Sequence, residues 1–581
     1  MQSSYRPHPS ITIHKVNEKV LVGFETIQLE LSQILKNHDV IAIEAYPSTN
    51  KTLLIENWGG LFDHVFDTDD AYLKNAELDA FLQSDLTNDR VYGHMSSKTL
   101  SDIRHQLRYE KLKKDIDEAK GKILLIGLGS SLFSKEAIII LTSVSRWEIQ
   151  LRFRKGESPN FNTNNFKEDP LRMFKRGYFI DWRLADRHKI AIWSNVDYVL
   201  DTESANCPKL LSKAAVDGAL AETAEKPFSM VPYFDPGLWG GDWMKNRFNL
   251  PQDRPNYAWS FNGVPEENAL CLEINHETFT LQAMDLVLFE SKKLLGELNL
   301  ARFGREFPIR FDFLDTMNGG NLSLQVHPLT DYIQRSFGMH YTQDESYYIL
   351  DAGKEASVYL GVKTGTKLED LVDDLKAASR NEKPFDDQRF INRIPAKKHD
   401  HFLIPAGTIH CSGADSVVLE ISATPYIFTF KLWDWGRVGM DGKPRPIHLD
   451  HAKEVIQIDR DTQWVHANIV NHIKPLSQEL GLKVESTGLH DLEFIETVRY
   501  WFEKPFEIET GHTVHMLMLV EGTSAVIKDP DHHFEDMVFH YAECFIVPAS
   551  IKRFIVEPLG QEKQAIISAF VRGSKEIKNG N

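Results

Sequence analysis

Leu322-Ser323-Leu324-Gln325-Val326-His327-Pro328 alternates apolar and polar residues, the pattern of a strand with one face turned inward. The alternation places Gln325 and His327 on one face, two residues apart. Downstream, Glu345 opens a second strand-like run, Glu345-Ser346-Tyr347-Tyr348-Ile349-Leu350. Pro405-Ala406-Gly407-Thr408-Ile409-His410 then supplies a tight turn that delivers a histidine from a third place in the chain. A metal site needs donors converging from neighbouring strands. Two imidazoles, a carboxylate and an amide oxygen form a set suited to zinc, manganese or iron, with positions left for water or substrate. The predicted ligands are therefore Gln325, His327, Glu345 and His410.

The surrounding text divides the 581 residues into regions, as expected for a chain too long for one core. Residues 1–200 alternate apolar runs such as Val40-Ile41-Ala42-Ile43 and Ile123-Leu124-Leu125-Ile126 with helical stretches, which predicts a parallel α/β sheet. Residues 201–229 read as a helical connector. Residues 230–455 show short β runs punctuated by Gly and Pro, with helical interruptions near 281–297 and 366–378. Thr366 and Glu369 make a capping-box pair for the second of these. Residues 456–581 begin helically and return to β-rich text from Leu492.

Composition narrows the function. The net charge of −17 argues against a broad nucleic-acid surface. No continuous run of about 20 apolar residues predicts a membrane span, and the first ten residues lack the apolar core of a secretory signal. The four cysteines, Cys207, Cys271, Cys411 and Cys544, are widely spaced, which fits a reducing, cytoplasmic setting.

Five ordered motifs in residues 230–455 resemble the class I mannose-6-phosphate isomerases, a cupin family. They are Gly237-Leu238-Trp239-Gly240-Gly241, Phe307 to Pro328, Glu345 to Ala352, Phe402 to Ile421, and Lys431 to Arg437 with Arg445 to Asp450. The resemblance implies a mainly β cupin barrel, a zinc ion and the interconversion of mannose 6-phosphate and fructose 6-phosphate through an enediol. Such a reaction needs a base near the carbon acid and electrophiles for the developing oxyanion. The family's lysine two residues before the ligand glutamate is Gln343 here, and the arginine after the last core strand is Lys431. Lys431 and His340 are the expected catalytic or phosphate-contacting residues. The alternatives are a non-catalytic sugar-phosphate sensor and a different metal-cupin enzyme, such as an iron oxygenase. Trp433 and Trp435 read as barrel packing, and Arg437 as either a substrate contact or an ion-pair partner.

The outer regions carry weaker resemblances. Ala45-Tyr46-Pro47-Ser48-Thr49-Asn50-Lys51-Thr52 follows a buried strand where a phosphate loop would sit, but Ala45 and Asn50 replace its glycines. With Asp67 to Tyr72 as an acidic strand end and Trp147 to Lys155 as a basic lid strand, the region resembles a degenerate uridine-kinase-like P-loop domain with a structural or regulatory role. Phe545 to Ile551 echoes Phe402 to Ile409, but Lys552-Arg553-Phe554 brings no histidine, which predicts a second cupin-like half without metal. Asp529 to Asp536 reads as a solvated hairpin turn.

Overall fold

The computed structural model describes residues 4–424, 426–438, 447–488, 490 and 492–573. Arg445 and Pro446 of the last motif lie outside them. Period-2 patterning dictates the central sheet. In Arg310–Asp315 every residue is buried, with Phe311 and Phe313 on one face and Arg310, Asp312 and Leu314 on the other. A strand buried on both sides must be covered twice, and it is.

One cover is the facing sheet of the same barrel. A sheet ordered 401–404, 344–352, 416–423, 310–315, 259–263, 233–235 lies against one ordered 391–395, 357–362, 410–412, 324–326, 430–433. This winding is the eight-stranded jelly roll of a cupin barrel, extended by three strands. The other cover is a second barrel. Its sheets run 495–502, 564–571, 515–521, 544–547 and 506–509, 553–558, 524–528, 537–540. Taken in chain order, the eight strands of the second barrel occupy the same places in the same order as those of the first. Phe311, Phe313, Leu419 and Ile421 join Met516, Met518 and Ile567 in one apolar cluster, so the barrels pack sheet against sheet. The interior of the second barrel is apolar, filled by Phe502, Leu517, Phe539, Phe545 and Phe554 among others.

The amino-terminal unit is an open α/β sheet. Strands 64–67, 123–127, 40–44, 138–143 and 198–201 run parallel in that spatial order, and 209–212 and 21–22 add antiparallel at the edge. Strand 11–13 leaves this unit to pair with 269–274 of the barrel region. Among the described residues no helix is long and apolar enough to cross a membrane.

Four local expectations fail for identifiable reasons. Trp147 to Lys155 is not a lid strand but part of the helix Arg146–Lys155. Ser145 caps its start by accepting from the Glu148 amide, with Glu148 at the third position, and left-handed Gly156 ends it. Residues 201–229 are not a free connector, because strand 209–212 belongs to the amino-terminal sheet and helix Lys213–Thr223 buries Val216, Ala219 and Leu220. The Thr366–Glu369 box does not form: helix Leu368–Ser379 starts after Lys367 without a side-chain cap, held instead by buried Leu371 and Leu375. Strands also begin before Leu492, in the hairpin 474–479 and 482–488, whose first strand is exposed throughout.

Two buried polar side chains stand where the units meet. Arg146, 1% exposed along its side chain, pairs with Asp186 of its own unit and Glu266 of the barrel region. Removing this cation breaks both buried pairs and leaves Glu266 to Arg183 at 2.9 Å and Asp186 to Lys189 at 3.7 Å, so Arg146→Ala is expected to cost about 3 kcal/mol, read as a lowered denaturant midpoint. At the seam between the barrels, burial and then nearby Arg499 push the His401 imidazole down to about 3. A histidine neutral when folded but titrating near 6.5 when unfolded withdraws stability as pH falls below 6.5, by up to about 1.4 kcal/mol per pH unit. His401→Phe should flatten that part of the stability–pH curve between about pH 6.5 and 4, as measured by denaturant titration.

Candidate active site

The four predicted ligands come from three strands and one turn. Gln325 on strand 324–326 is the cross-strand partner of His410 on 410–412, and Glu345 stands on 344–352 of the opposite sheet. His327 follows strand 324–326 directly. His327 Nε2 lies 2.9 Å from Glu345 Oε2, and His410 Nε2 lies 2.8 Å from Glu345 Oε1. The side chains of all three have no exposed surface. Gln325 places its amide 3.2 Å from His410 Nε2.

Local chemistry fixes this arrangement. His327 Nδ1 donates to the Phe428 carbonyl at 2.8 Å, and His410 Nδ1 donates to the Thr408 carbonyl at 2.9 Å. Each ring therefore turns the lone pair of Nε2 toward the carboxylate. Two lone pairs facing an anion in a buried space repel unless a proton or a cation lies among them. His327 Nε2 and Glu345 Oε1 accordingly make no hydrogen bond among the described residues. Ligand atoms of His327, Glu345 and His410 all fall within 4.8 Å of one another, a set able to hold a metal ion. Although burial opposes both charged forms, Glu345 and His327 sustain each other: the carboxyl is held well below its usual range and the imidazole is raised.

The turn carrying His410 is clamped. Gly407 adopts φ +88°, and a Cβ there would come within 2.9 Å of the Val455 carbonyl oxygen. Its amide donates to His327 O. Arg460 Nη1 donates to the carbonyls of Pro405 and Ala406 at 2.7 and 2.6 Å, and Asp344 Oδ1 accepts from the Ala406 amide at 2.7 Å. Strand 344–352 and the histidine turn are thus tied together beside the ligands.

The remaining expectations divide. Gln343 is buried; its amide donates to Glu345 Oε2 at 2.9 Å, while its oxygen accepts from the Phe428 amide at 2.9 Å. It holds a ligand where a lysine would have brought charge. Lys431 is the direct cross-strand partner of Gln325, which puts it on the ligand face. His340 is not there. It sits in the turn before strand 344–352, its side chain 76% exposed and 3.3 Å from Glu306, because the bend at Gly338 turns it out to solvent. Trp433 is buried, the Trp435 indole donates to the Leu322 carbonyl, and Arg437 pairs with Asp434, so these three pack the barrel. Asp529, Asp531 and His533 also approach one another in the 529–536 turn, where Asp531 pairs with Arg553.

Three further residues, Arg310, Asp312 and Glu420, share the lumen with no motif of their own. Arg310 and Asp312 lie opposite Ser422 and Glu420, and Ser422 and Glu420 lie opposite Glu345 and Tyr347. These form two cross-strand rows on the ligand face, so Arg310 stands two strands, roughly 10 Å, from Glu345. Desolvation and then Asp312 and Glu345 raise Glu420 well above the carboxylate range. Desolvation, only partly offset by Arg310, carries Asp312 up to about 7. The available signal was the charge at every second position of Arg310-Phe311-Asp312-Phe313, set in otherwise apolar text.

Residues 23–225 match a family model described as a domain of unknown function (DUF8485). Mannose-6-phosphate isomerase ManA of Bacillus subtilis (strain 168) is 28% identical over 235 residues, 40% of this chain and 69% of that protein. From the same organism, a protein named "Probable mannose-6-phosphate isomerase GmuF" is 26% identical over 333 residues, 57% of this chain and 96% of its own. The crystal structure of the mannose 6-phosphate isomerase from Bacillus subtilis aligns with 59% of this chain and 99% of that one at 18% identity, with a TM-score of 0.48, too loose a superposition to carry weight. The chain is thus similar, at low identity and over about half its length, to mannose-6-phosphate isomerases.

Proposed function

We propose that this protein is a metal-dependent aldose–ketose isomerase of a phosphorylated hexose, interconverting mannose 6-phosphate, the sugar in its relatives' names, and fructose 6-phosphate. One observation carries the reading. The buried lone-pair set of His327, His410 and Glu345 shares its barrel face with two further carboxyls and a guanidinium.

Glu345, His327 and His410 would hold the ion, with Gln325 turned by half a rotation to present its amide oxygen. Zinc is the first choice, manganese and iron the others. When bound, the ion supplies Lewis-acid polarisation of a sugar oxygen. The chain's own groups do the rest. Glu420, beside Glu345, is positioned to take a proton from one carbon and return it to the next. Asp312 lies directly across from Glu420 and can exchange a proton with the sugar oxygens. Arg310 offers N–H groups to oxygens on the same face, and Lys431 adds positive charge across from Gln325. Full burial of the ligands excludes water from the enediol.

The test is turnover. Metal-replete protein incubated with mannose 6-phosphate should yield ketose phosphate, chelation should abolish the reaction, and added divalent metal should restore it. Stabilisation by the sugar phosphate without turnover would assign a binding role instead. Glu420→Gln should lower kcat by about 10²–10⁴-fold while bound metal, measured on the same sample, stays at the wild-type level. His410→Ala should lose the metal itself.

A further inference from the structure

Both sheets of the first barrel end on an open side. One finishes at strand 233–235, the other at 430–433. The amino-terminal unit spans the gap. Trp147 stacks on Tyr233 with ring centroids 3.9 Å apart, and Tyr233 stacks on Phe261 at 4.7 Å. The Arg310 guanidinium lies over Phe261 at 5.1 Å. A continuous stack therefore runs from the surface of the amino-terminal unit to a charge on the ligand face. At the other edge Tyr178 packs against Tyr426 at 4.3 Å, in the segment entering strand 430–433. Arg183 reaches Glu266 at 2.9 Å in the loop after strand 259–263.

The groups enclosed behind this wall are only partly matched. Arg310, 3% exposed, faces Asp312 Oδ1 from Nε at 3.5 Å, an ion pair too long for a hydrogen bond, and among the described residues Arg310 Nε and Nη1, Asp312 Oδ1 and Tyr347 OH make no hydrogen bond. Buried polar groups in native proteins find partners, so such a set calls for a ligand or water. Its chemistry is that of a polyhydroxylated ligand, whose hydroxyls donate to the carboxyls and accept from the guanidinium. Meanwhile the phosphate-loop position is used up internally. Asn50 accepts from the Leu53 amide, Lys51 is held between Asp67 and Asp69, and Arg152 donates to Ser48 O at 2.9 Å.

We propose that the amino-terminal α/β unit is a fixed wall of the sugar chamber, in which Trp147, acting through Tyr233 and Phe261, positions Arg310 to receive a sugar oxygen. The proposal rests on the isomerase reading. Trp147 is a positioning residue; Arg310 is the group that touches the sugar.

Calorimetry of mannose 6-phosphate binding to the full, metal-loaded chain, beside initial rates, tests it. Arg310→Gln should weaken binding by about 10–100-fold, the loss of a charged hydrogen bond. Trp147→Ala should raise KM about tenfold with kcat within about twofold, and Trp147→Phe should recover most of it. In the double variant the two losses should not multiply, since they act through one group. Tyr233→Leu breaks the stack from the barrel side and should reproduce the effect if Trp147→Ala folds poorly. Wild-type affinity in both stack variants, or fully multiplicative losses, would overturn the wall proposal alone. A wild-type chain that neither binds nor converts any hexose phosphate would overturn the isomerase reading, and this proposal with it.

Discussion

The structure turns on two imidazole lone pairs aimed at one carboxylate in a space closed to water. Backbone carbonyls of Phe428 and Thr408 take the Nδ1 protons, so His327 and His410 can face Glu345 only through unprotonated nitrogens, unless a proton or a cation joins them. The neighbouring architecture keeps that arrangement from relaxing. The Gly407 turn, the Arg460 clamp and the Asp344–Ala406 bond hold the His410 segment against the Glu345 strand. Gln343 holds the carboxylate from behind. An unstrained alternative would need one of these to let go.

The two barrels illustrate one winding put to different uses. Their strands follow the same order, yet the first lines its interior with Arg310, Asp312, Glu345, His410 and Glu420, while the second fills its interior with phenylalanines and aliphatic residues. A packed apolar interior stabilises a barrel by excluding water; a charged one needs a partner for every group. The second barrel lends the first an apolar sheet to lean on, and the amino-terminal unit closes the remaining side. Lys51, which would serve a nucleotide in a working phosphate loop, is held between two aspartates.

The convergence of Gln325, His327, Glu345 and His410 was legible because such residues are rare in strands and here stand in order along the chain, two of them in strict alternation. Helices and strands were readable where periodicity was long. Trp147 to Lys155 misled because basic and aromatic residues alternate there, while the deciding signal, Ser145 with Glu148, lies at its edge. His340 was misplaced because nearness in sequence to Glu345 says nothing about the turn between them. Gln343 and Lys431 could be compared by position, but only cross-strand pairing shows that one tethers a ligand and the other shares its face. Arg310, Asp312 and Glu420 escaped notice because their meaning depends on neighbours more than 100 residues away in the chain.

Crystals of the full chain measured on both sides of a metal absorption edge test the central claim most directly. The account predicts a single anomalous peak among His327 Nε2, His410 Nε2 and Glu345, with Gln325 Oε1 turned toward it. Well-ordered side chains at that position with no peak after metal loading, or a peak only elsewhere in the molecule, would contradict it.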